Sequence, residues 1–326
     1  MTIFLSAVQT KLEASAYSSE AAFAAWIDEQ TRAALASRDP RDPALVAFPE
    51  LIGLPLLFYL NRKTDSSTVQ DAALELLRSD WLEALRLGVA RRYLNISSLI
   101  LPRAVQMHRT LVNAFSLAAK RHDAHIVAGS SFLPLVDHEA ARGLHIANPR
   151  VQNVSYLFTP SGRLLHRSAK LNLTGGIESS LGLTRGPAVT SSRTALGEIT
   201  TLICYDAFFD ALVARADALG ASILVQPSAN AAAWRGPWSA DAKRLEGEEW
   251  LARGLPALIQ HRVNLRYGVN PMLVGTLFDL TFEGCSSISA NTSLTGCSQP
   301  ILAMATQPDQ FAVVSARVDW GEFQNG

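Results

Sequence analysis

The sequence predicts an α/β fold. Three observations lead there: short runs rich in apolar and β-branched residues, segments of helical spacing between them, and proline- or glycine-marked breaks at the joins. Residues 2–10 alternate and then run apolar, as a first strand. Ser18 or Ser19 is placed to cap a helix from Glu20 to Ala36, with Phe23, Trp26, Ile27, Ala33 and Ala34 on one side. Asp39-Pro-Arg-Asp-Pro43 ends it, and Ala44–Phe48 forms a second strand stopped by Pro49. A helix over Leu111–Arg121 precedes a strand at His125–Gly129. Val151–Phe158, the turn Thr159-Pro-Ser-Gly162 and Arg163–Ser168 read as a hairpin. Gly197–Ile203 is a strand, Asp206–Leu219 a helix, Ser222–Gln226 a strand and Ala240–Leu251 a helix. Tyr267–Val274, Leu277–Phe282 and Phe311–Val318 are late strands.

The 326 residues show no internal repeat, low-complexity tract or linker, so a single domain over 1–326 is expected. Residues 55–112 are the least regular part, and a helical elaboration is expected there. Leu74, Leu77, Trp81 and Leu85 recur at helical spacing, which suits either a layer packed on the sheet or a lid, pocket wall or oligomer contact.

Composition excludes several classes. The chain is 48% hydrophobic and 18% charged, against about 25% charged in typical soluble domains. That permits a large core and leaves apolar surface for a subunit interface. The 29 basic and 29 acidic residues balance to a formal net charge of +0, which argues against a nucleic-acid or basic membrane-surface partner. Three cysteines, Cys204, Cys285 and Cys297, do not make a disulfide framework. The opening residues lack the basic region of a signal peptide, and Leu51–Leu60, interrupted by Gly53 and Pro55, is too short to span a bilayer. A cytoplasmic location is expected. Asn95, Asn153, Asn172 and Asn291 head Asn-x-Ser/Thr strings, to which no role is given without a secretory route.

Three strand ends carry the chemistry. Glu50 follows Ala44–Phe48 and Pro49, Lys170 ends the second arm of the hairpin, and Cys204 ends the strand before a helix. A carboxylate can take a thiol proton, an ammonium can hold an oxyanion, and a thiolate can attack a carbonyl carbon. At a helix N-terminus the dipole would favour the thiolate, and the Tyr205 amide would face the attacked carbonyl. A buried inert cysteine, a structurally paired carboxylate and a surface lysine fit the same spacing. Cys285 and Cys297 lack this context and are expected to be structural.

The ordered set resembles the nitrilase superfamily, the carbon–nitrogen hydrolases, nearly from end to end. The resemblance rests on Ala7-Val8-Gln9, Phe48-Pro49-Glu50, Ser161-Gly162 before Lys170-Leu171-Asn172-Leu173, Ile203-Cys204-Tyr205-Asp206 and Cys285-Ser286-Ser287-Ile288. It implies a four-layer α-β-β-α sandwich with no metal or organic cofactor. It implies Glu50 as general base, Lys170 as oxyanion stabiliser and Cys204 as nucleophile in cleaving a nitrile, amide or carbamoyl compound through a thioester. It also implies that Glu178 positions the substrate or the lysine, that Asn230, Trp234 and Trp238 fall on substrate-facing loops, and that the chain pairs as a homodimer. Leu212, Val213 and Leu219 suit such an interface or the domain core. Tyr205, where tryptophan would mark true nitrilases, leans towards the amidase-like branch.

The chain also departs from that pattern. Phe208-Phe209-Asp210 stands where many relatives carry an aromatic, a proline and a glutamate, and Leu258–Asn264 lacks the usual acidic residue. A soluble N-acyltransferase using the same thioester and a non-catalytic binding protein on this fold are the competing readings. No Gly-x-Ser-x-Gly elbow is present, and His122 and His125 lack companion metal ligands.

Overall fold

The computed structural model describes residues 2–175 and 177–320. The first part contains β1 (Thr2–Lys11), α1 (Glu20–Ala34), β2 (Ala44–Phe48), α2 (Leu56–Tyr59), α3 (Val69–Ala90), α4 (Leu101–His122), β3 (His125–Ala128), β4 (Ser131–Glu139), β5 (Gly143–Phe158) and β6 (Leu164–Ala169). Next come α5 (Ile177–Ser180), β7 (Ser191–Thr194), β8 (Gly197–Thr201), α6 (Asp210–Ala218), β9 (Ile223–Val225), β10 (Ser228–Ala229), β11 (Pro237–Trp238), β12 (Asp241–Leu245), α7 (Glu246–Arg253) and α8 (Leu255–Leu258). The chain closes with β13 (Tyr267–Asn270), β14 (Met272–Leu277), β15 (Leu280–Phe282), β16 (Ser287–Ala290), α9 (Thr292–Thr295), β17 (Ile301–Met304) and β18 (Ala312–Asp319).

Two sheets face each other. The first runs β10-β14-β1-β2-β3-β5-β4, with β18 along β1, β15 on β14 and β6 on β5. The second runs β17-β16-β13-β9-β8-β7. Period-two alternation divides the side chains between layers. Phe4 and Val8 of β1 and Val46 and Phe48 of β2 pack against Phe23 and Ile27 of α1 and Phe115 of α4. Their neighbours Ile3, Leu5, Ala7, Leu45 and Ala47 face Ile199, Ile223, Val225 and Val269 of the second sheet. Leu224, one step along β9, turns outward to Val213 of α6 and Leu255 of α8. Helices, sheet, sheet and helices thus form the four layers of an α-β-β-α sandwich.

Local chemistry sets several boundaries. Ser19 Oγ accepts from the Ala22 amide at 3.1 Å and starts α1. Helix α4 begins at Leu101, ten residues before the helix expected at Leu111, because Pro102 suits its first turn. The Leu74, Leu77, Trp81 and Leu85 stripe of α3 is its exposed face, between 40% and 49% accessible. Its buried residues are Ala72, Leu76, Ala84 and Gly88, and the three small ones let α3 lie close to its neighbours. Residues 241–245, expected to be helical, pair with Pro237–Trp238 as a ribbon, and helix α7 starts only at Glu246. Glu248 accepts from the Leu245 amide at 3.1 Å, and three glutamates in the first turn complement the helix dipole.

The expected strand Tyr267–Val274 divides at Pro271, which cannot donate to a ladder. Its first half, β13, pairs with β9 in the second sheet, and its second half, β14, pairs with β1 in the first. Pro227 makes the same break between β9 and β10, and the Ser228 amide donates to Pro271 O at 3.0 Å. Two neighbouring chain segments therefore cross from one sheet to the other at one place, and the functional residues gather beside that crossing.

Among the described residues, no helix is long and apolar enough to cross a membrane.

Candidate active site

Glu50 stands just beyond the fully buried β2, with Pro49 ending the strand. The next residue, Leu51, takes a left-handed φ of 61° and is held by Ser130 Oγ, which accepts from its amide at 3.0 Å. Lys170 follows β6, and its amide donates to Asn153 O on β5 at 2.9 Å, continuing the hairpin ladder. Cys204 lies three residues past the end of β8 (Thr201). Its amide donates to Pro227 O at the sheet crossing at 2.8 Å, and its own φ is 49°. A left-handed non-glycine residue at a candidate nucleophile is strain that the surroundings must hold in place.

These residues meet in one buried cluster. Lys170 Nζ donates to Glu50 Oε1 at 2.8 Å and lies 2.9 Å from Glu178 Oε2. Asn153 Nδ2 bridges both carboxylates, at 2.8 Å to Glu50 Oε1 and 2.6 Å to Glu178 Oε1. The Ala229 amide, just past the crossing, donates to Glu50 Oε2 at 3.1 Å. Thr174 supplies its amide and hydroxyl to Glu178 Oε2 at 2.9 and 3.1 Å. The Cys204 sulfur lies 3.9 Å from Ala229 O. Glu50, Lys170 and Glu178 are each no more than 4% exposed. Two carboxylates therefore share one ammonium in a dry setting, where Coulomb terms are strong.

The electrostatics follow from burial. Loss of solvent pushes the Glu50 carboxyl up, and Glu178 adds to this, while Lys170 pulls it back. Burial works against a charged Lys170, but Glu50, Cys204 and Glu178 around it outweigh that and hold it above the usual lysine range. Burial, and then the Glu50 charge, push the Cys204 thiol above its ordinary value, against the pull of Lys170. Burial and the neighbouring carboxylate thus favour the thiol over the thiolate. This corrects the expectation of a dipole-favoured thiolate. Cys204–Phe208 is a 3-10 turn, and the α-helix starts only at Asp210, so no long helix points its N-terminus at the sulfur.

Asp206 ties the cysteine turn to the lysine loop. Its carboxylate accepts from the Leu171 and Asn172 amides at 2.8 and 2.7 Å. Gln226 Nε2 donates to Cys204 O at 3.0 Å from below.

A cavity of about 640 Å³ opens over Cys204. Tyr205, Phe208, Phe209, Trp238 and Trp250 line it, together with Asn230. The Asn230 amide is occupied within its own loop, where Nδ2 donates to Ala232 O at 3.0 Å. Trp234 is not part of this wall. It lies in the core between the sheets beside Trp250, at a ring distance of 6.0 Å. Val213 is buried under the second sheet, with Leu212 and Leu219 packed against the same cluster. The Asp217 carboxylate of α6 accepts from the Val263, Asn264 and Leu265 amides and anchors the end of the Leu258–Asn264 stretch. Cys285 is buried among the inter-sheet apolar residues, and Cys297 packs at that cluster's edge.

Sequence reasoning missed Asn153 as a site residue. Its signal was a polar side chain inside the apolar run Val151–Phe158, overlooked because the residue also heads an Asn-x-Ser string. Glu246 and Glu249 also line the cavity; both fall inside the helix expected over Ala240–Leu251, and nothing in their spacing distinguishes them from solvated helix carboxylates.

The sandwich thus brings a carboxylate, an ammonium and a thiol together in one buried cluster beside a cavity. The carbon–nitrogen hydrolase family model matches residues 6–263, and the chain belongs to that family. It is a carbon–nitrogen hydrolase of the nitrilase superfamily. Among solved structures, a carbon–nitrogen hydrolase from Helicobacter pylori G27 matches with a TM-score of 0.64 at 16% identity, over 98% of this chain and 89% of that one. A mutant amidase from Nesterenkonia sp. AN1, carrying the acetamide moiety of fluoroacetamide on its active-site cysteine, matches with a TM-score of 0.62 at 14% identity, over 98% and 90%. Another mutant of that amidase, in complex with butyramide, matches with a TM-score of 0.61 at 14% identity, over 97% and 90%. A search of curated proteins gave no match.

Proposed function

We propose that the chain is an amidase that cleaves a small carboxamide, or a related carbamoyl or nitrile compound, through a thioester on Cys204. One observation carries this reading: a buried carboxylate, Glu50, is hydrogen-bonded to Lys170 at 2.8 Å beside a thiol that opens onto a cavity. The acetamide adduct and the butyramide complex of the structurally similar amidase support the same reading.

The resting thiol needs a base, and Glu50 takes its proton as sulfur attacks the amide carbon. The carbonyl oxygen becomes an oxyanion, which Lys170 Nζ and the Tyr205 amide stabilise. On collapse, the C–N bond breaks, and the proton held by Glu50 passes to the leaving nitrogen, so ammonia or an amine departs. Glu50, again a carboxylate, then takes a proton from water. The resulting hydroxide attacks the thioester, the C–S bond breaks, and the proton returns to sulfur. Glu178 and Asn153 hold Lys170 and Glu50 in position throughout. Asn230 belongs to the substrate wall in this reading. No step calls on a cofactor.

The test is intact-protein mass spectrometry during turnover of an amide panel, with ammonia followed in parallel. An acyl mass increment on the wild type and none on Cys204→Ala supports the proposal; ammonia release that survives Cys204→Ala overturns it. We carry a homodimer acting on a small-molecule substrate in the cytoplasm as part of the same proposal, and a monomer mass by light scattering at working concentration would remove the dimer from it.

A further inference from the structure

The cavity over Cys204 is larger than a four-carbon amide needs. Its volume of about 640 Å³ falls among pockets of roughly 300–1,000 Å³, which enclose drug-sized ligands. Five aromatic residues line it: Tyr205, Phe208, Phe209, Trp238 and Trp250. Tyr205 and Phe208 belong to the 3-10 turn that begins at Cys204, and Phe209 follows in an extended conformation (φ −93°, ψ 109°) before α6. The rings run on from the neighbour of the nucleophile to α7. Tyr205 meets Phe209 edge to face at 5.0 Å between centroids and lies 6.5 Å from Phe208. Phe208 meets Trp250 edge to face at 4.8 Å. Tyr205 and Phe209 are still 45% and 37% accessible, so packing within the protein leaves much of both rings open. Phe209 also stands where many relatives carry proline, so this ring is a departure of the chain itself.

The charged groups on the wall are engaged with one another. Glu249 pairs with Arg244 and with Arg253, and Arg253 also lies over the Trp238 ring at 5.5 Å from its centroid. Glu246 accepts from Trp250 Nε1 at 3.1 Å, and Asn230 Nδ2 donates within its own loop. A charged substituent would have to displace one of these contacts, whereas a ring would meet open aromatic surface. Aromatic pairs gain from offset or edge-to-face contact beyond the area they bury. We infer that the substrate is an arylalkyl carboxamide, whose ring packs against Tyr205, Phe209 and Trp238 while its amide carbon lies over Cys204. A primary amide loses only ammonia, so the ring is carried on the acyl chain and stays with the thioester. This inference rests on the amidase reading and specifies its substrate class.

The test compares 3-phenylpropanamide with 3-cyclohexylpropanamide, which has similar bulk but no π face, and with butyramide. N-benzylacetamide places the ring on the amine side instead. The phenyl amide should exceed the cyclohexyl amide in kcat/KM by about fivefold, and butyramide by about tenfold or more. Phe209→Leu and Trp238→Leu should each bring the phenyl-to-cyclohexyl ratio towards unity. In parallel, calorimetric titration of Cys204→Ala should show tighter binding of the phenyl amide than of the cyclohexyl one. Equal turnover of the two, or best turnover of butyramide, overturns the substrate class and leaves the amidase reading standing. Preference for N-benzylacetamide overturns the placement of the ring on the acyl chain. Phenyl-selective binding with no turnover of any amide overturns the amidase reading and supports the site. Absence of both binding and turnover overturns the inference.

Discussion

Lys170 Nζ donates to Glu50 Oε1 at 2.8 Å across 120 positions of sequence, and their side chains are 2% and 4% exposed. A pair so dry is weak as a source of stability but costly to break, since removing one partner leaves the other charged without compensation. Here the cost is compounded, because Glu178 leans on the same ammonium at 2.9 Å.

Lys170→Met is therefore expected to leave two buried carboxylates facing each other. It should abolish turnover and lower stability by about 3–5 kcal/mol. Denaturant unfolding of the variant checks the second figure. A stability equal to the wild type would show that the carboxylates take up protons or solvent readily.

Glu50→Gln should lose activity; its one carbonyl oxygen can still accept from Lys170, but its NH2 cannot accept from the Ala229 amide. In the wild type, burial holds the Glu50 carboxyl above its ordinary 4.5. The base must be ionised to act, so kcat/KM should fall as pH drops through a value above 4.5. A pH–rate profile with an acid limb below that value would assign the base elsewhere.

Asn153 donates to both Glu50 and Glu178, at 2.8 and 2.6 Å. Asn153→Ala removes two charge-assisted bonds from the resting cluster without touching substrate. A loss of about 10- to 100-fold in kcat/KM is expected, together with an upward shift of the acid limb. A loss of activity with an unmoved pH profile would mean that Asn153 serves the fold alone.

Gly129 closes β3 at a φ of 58°, and a Cβ added there would stand 2.0 Å from Pro49 O. Gly129→Ala must therefore push the segment that carries Glu50, as well as adopt a left-handed backbone. A loss of more than about 2 kcal/mol is expected, with activity falling further than stability. Thermal unfolding and kcat measured on the folded fraction separate the two effects.

His108 stands on α4 against Tyr156, with Nδ1 3.2 Å from the phenol oxygen. Burial, helped by the Arg167 charge, holds its pKa down from 6.5 to about 4. The unfolded chain then binds a proton that the folded one does not, so stability is full above pH 6.5 and falls as pH drops towards 4. The loss should reach about 3 kcal/mol and be largely absent in His108→Gln. Urea midpoints between these pH values decide it.

Much of the site was legible in the chain order alone. Phe48-Pro49-Glu50, Ala169-Lys170-Leu171 and Ile203-Cys204-Tyr205 each couple a strand-ending pattern to one reactive group, and strand ends are where a sandwich of this type leaves polar side chains room. Local spacing also marked β1, β2 and the Ser19 cap, because side-chain periodicity and a capping hydroxyl act within a few residues.

What local sequence could not carry was where a continuous apolar run changes partners. Tyr267–Val274 reads as one strand, yet Pro271 hands it from one sheet to the other, and Pro227 does the same beside it. That double crossing places the Ala229 amide on Glu50 and the Pro227 carbonyl on the Cys204 amide. Likewise, Asn153 looked like an ordinary strand residue until two distant carboxylates closed on its amide. While the layer order entered with the family resemblance, the sequence by itself marked the α/β class, the early strands and the candidate reactive groups, since periodicity and residue chemistry are local properties. Only the tertiary structure decided their protonation and their reach, since a pKa and a hydrogen bond depend on which distant charges share the same dry space.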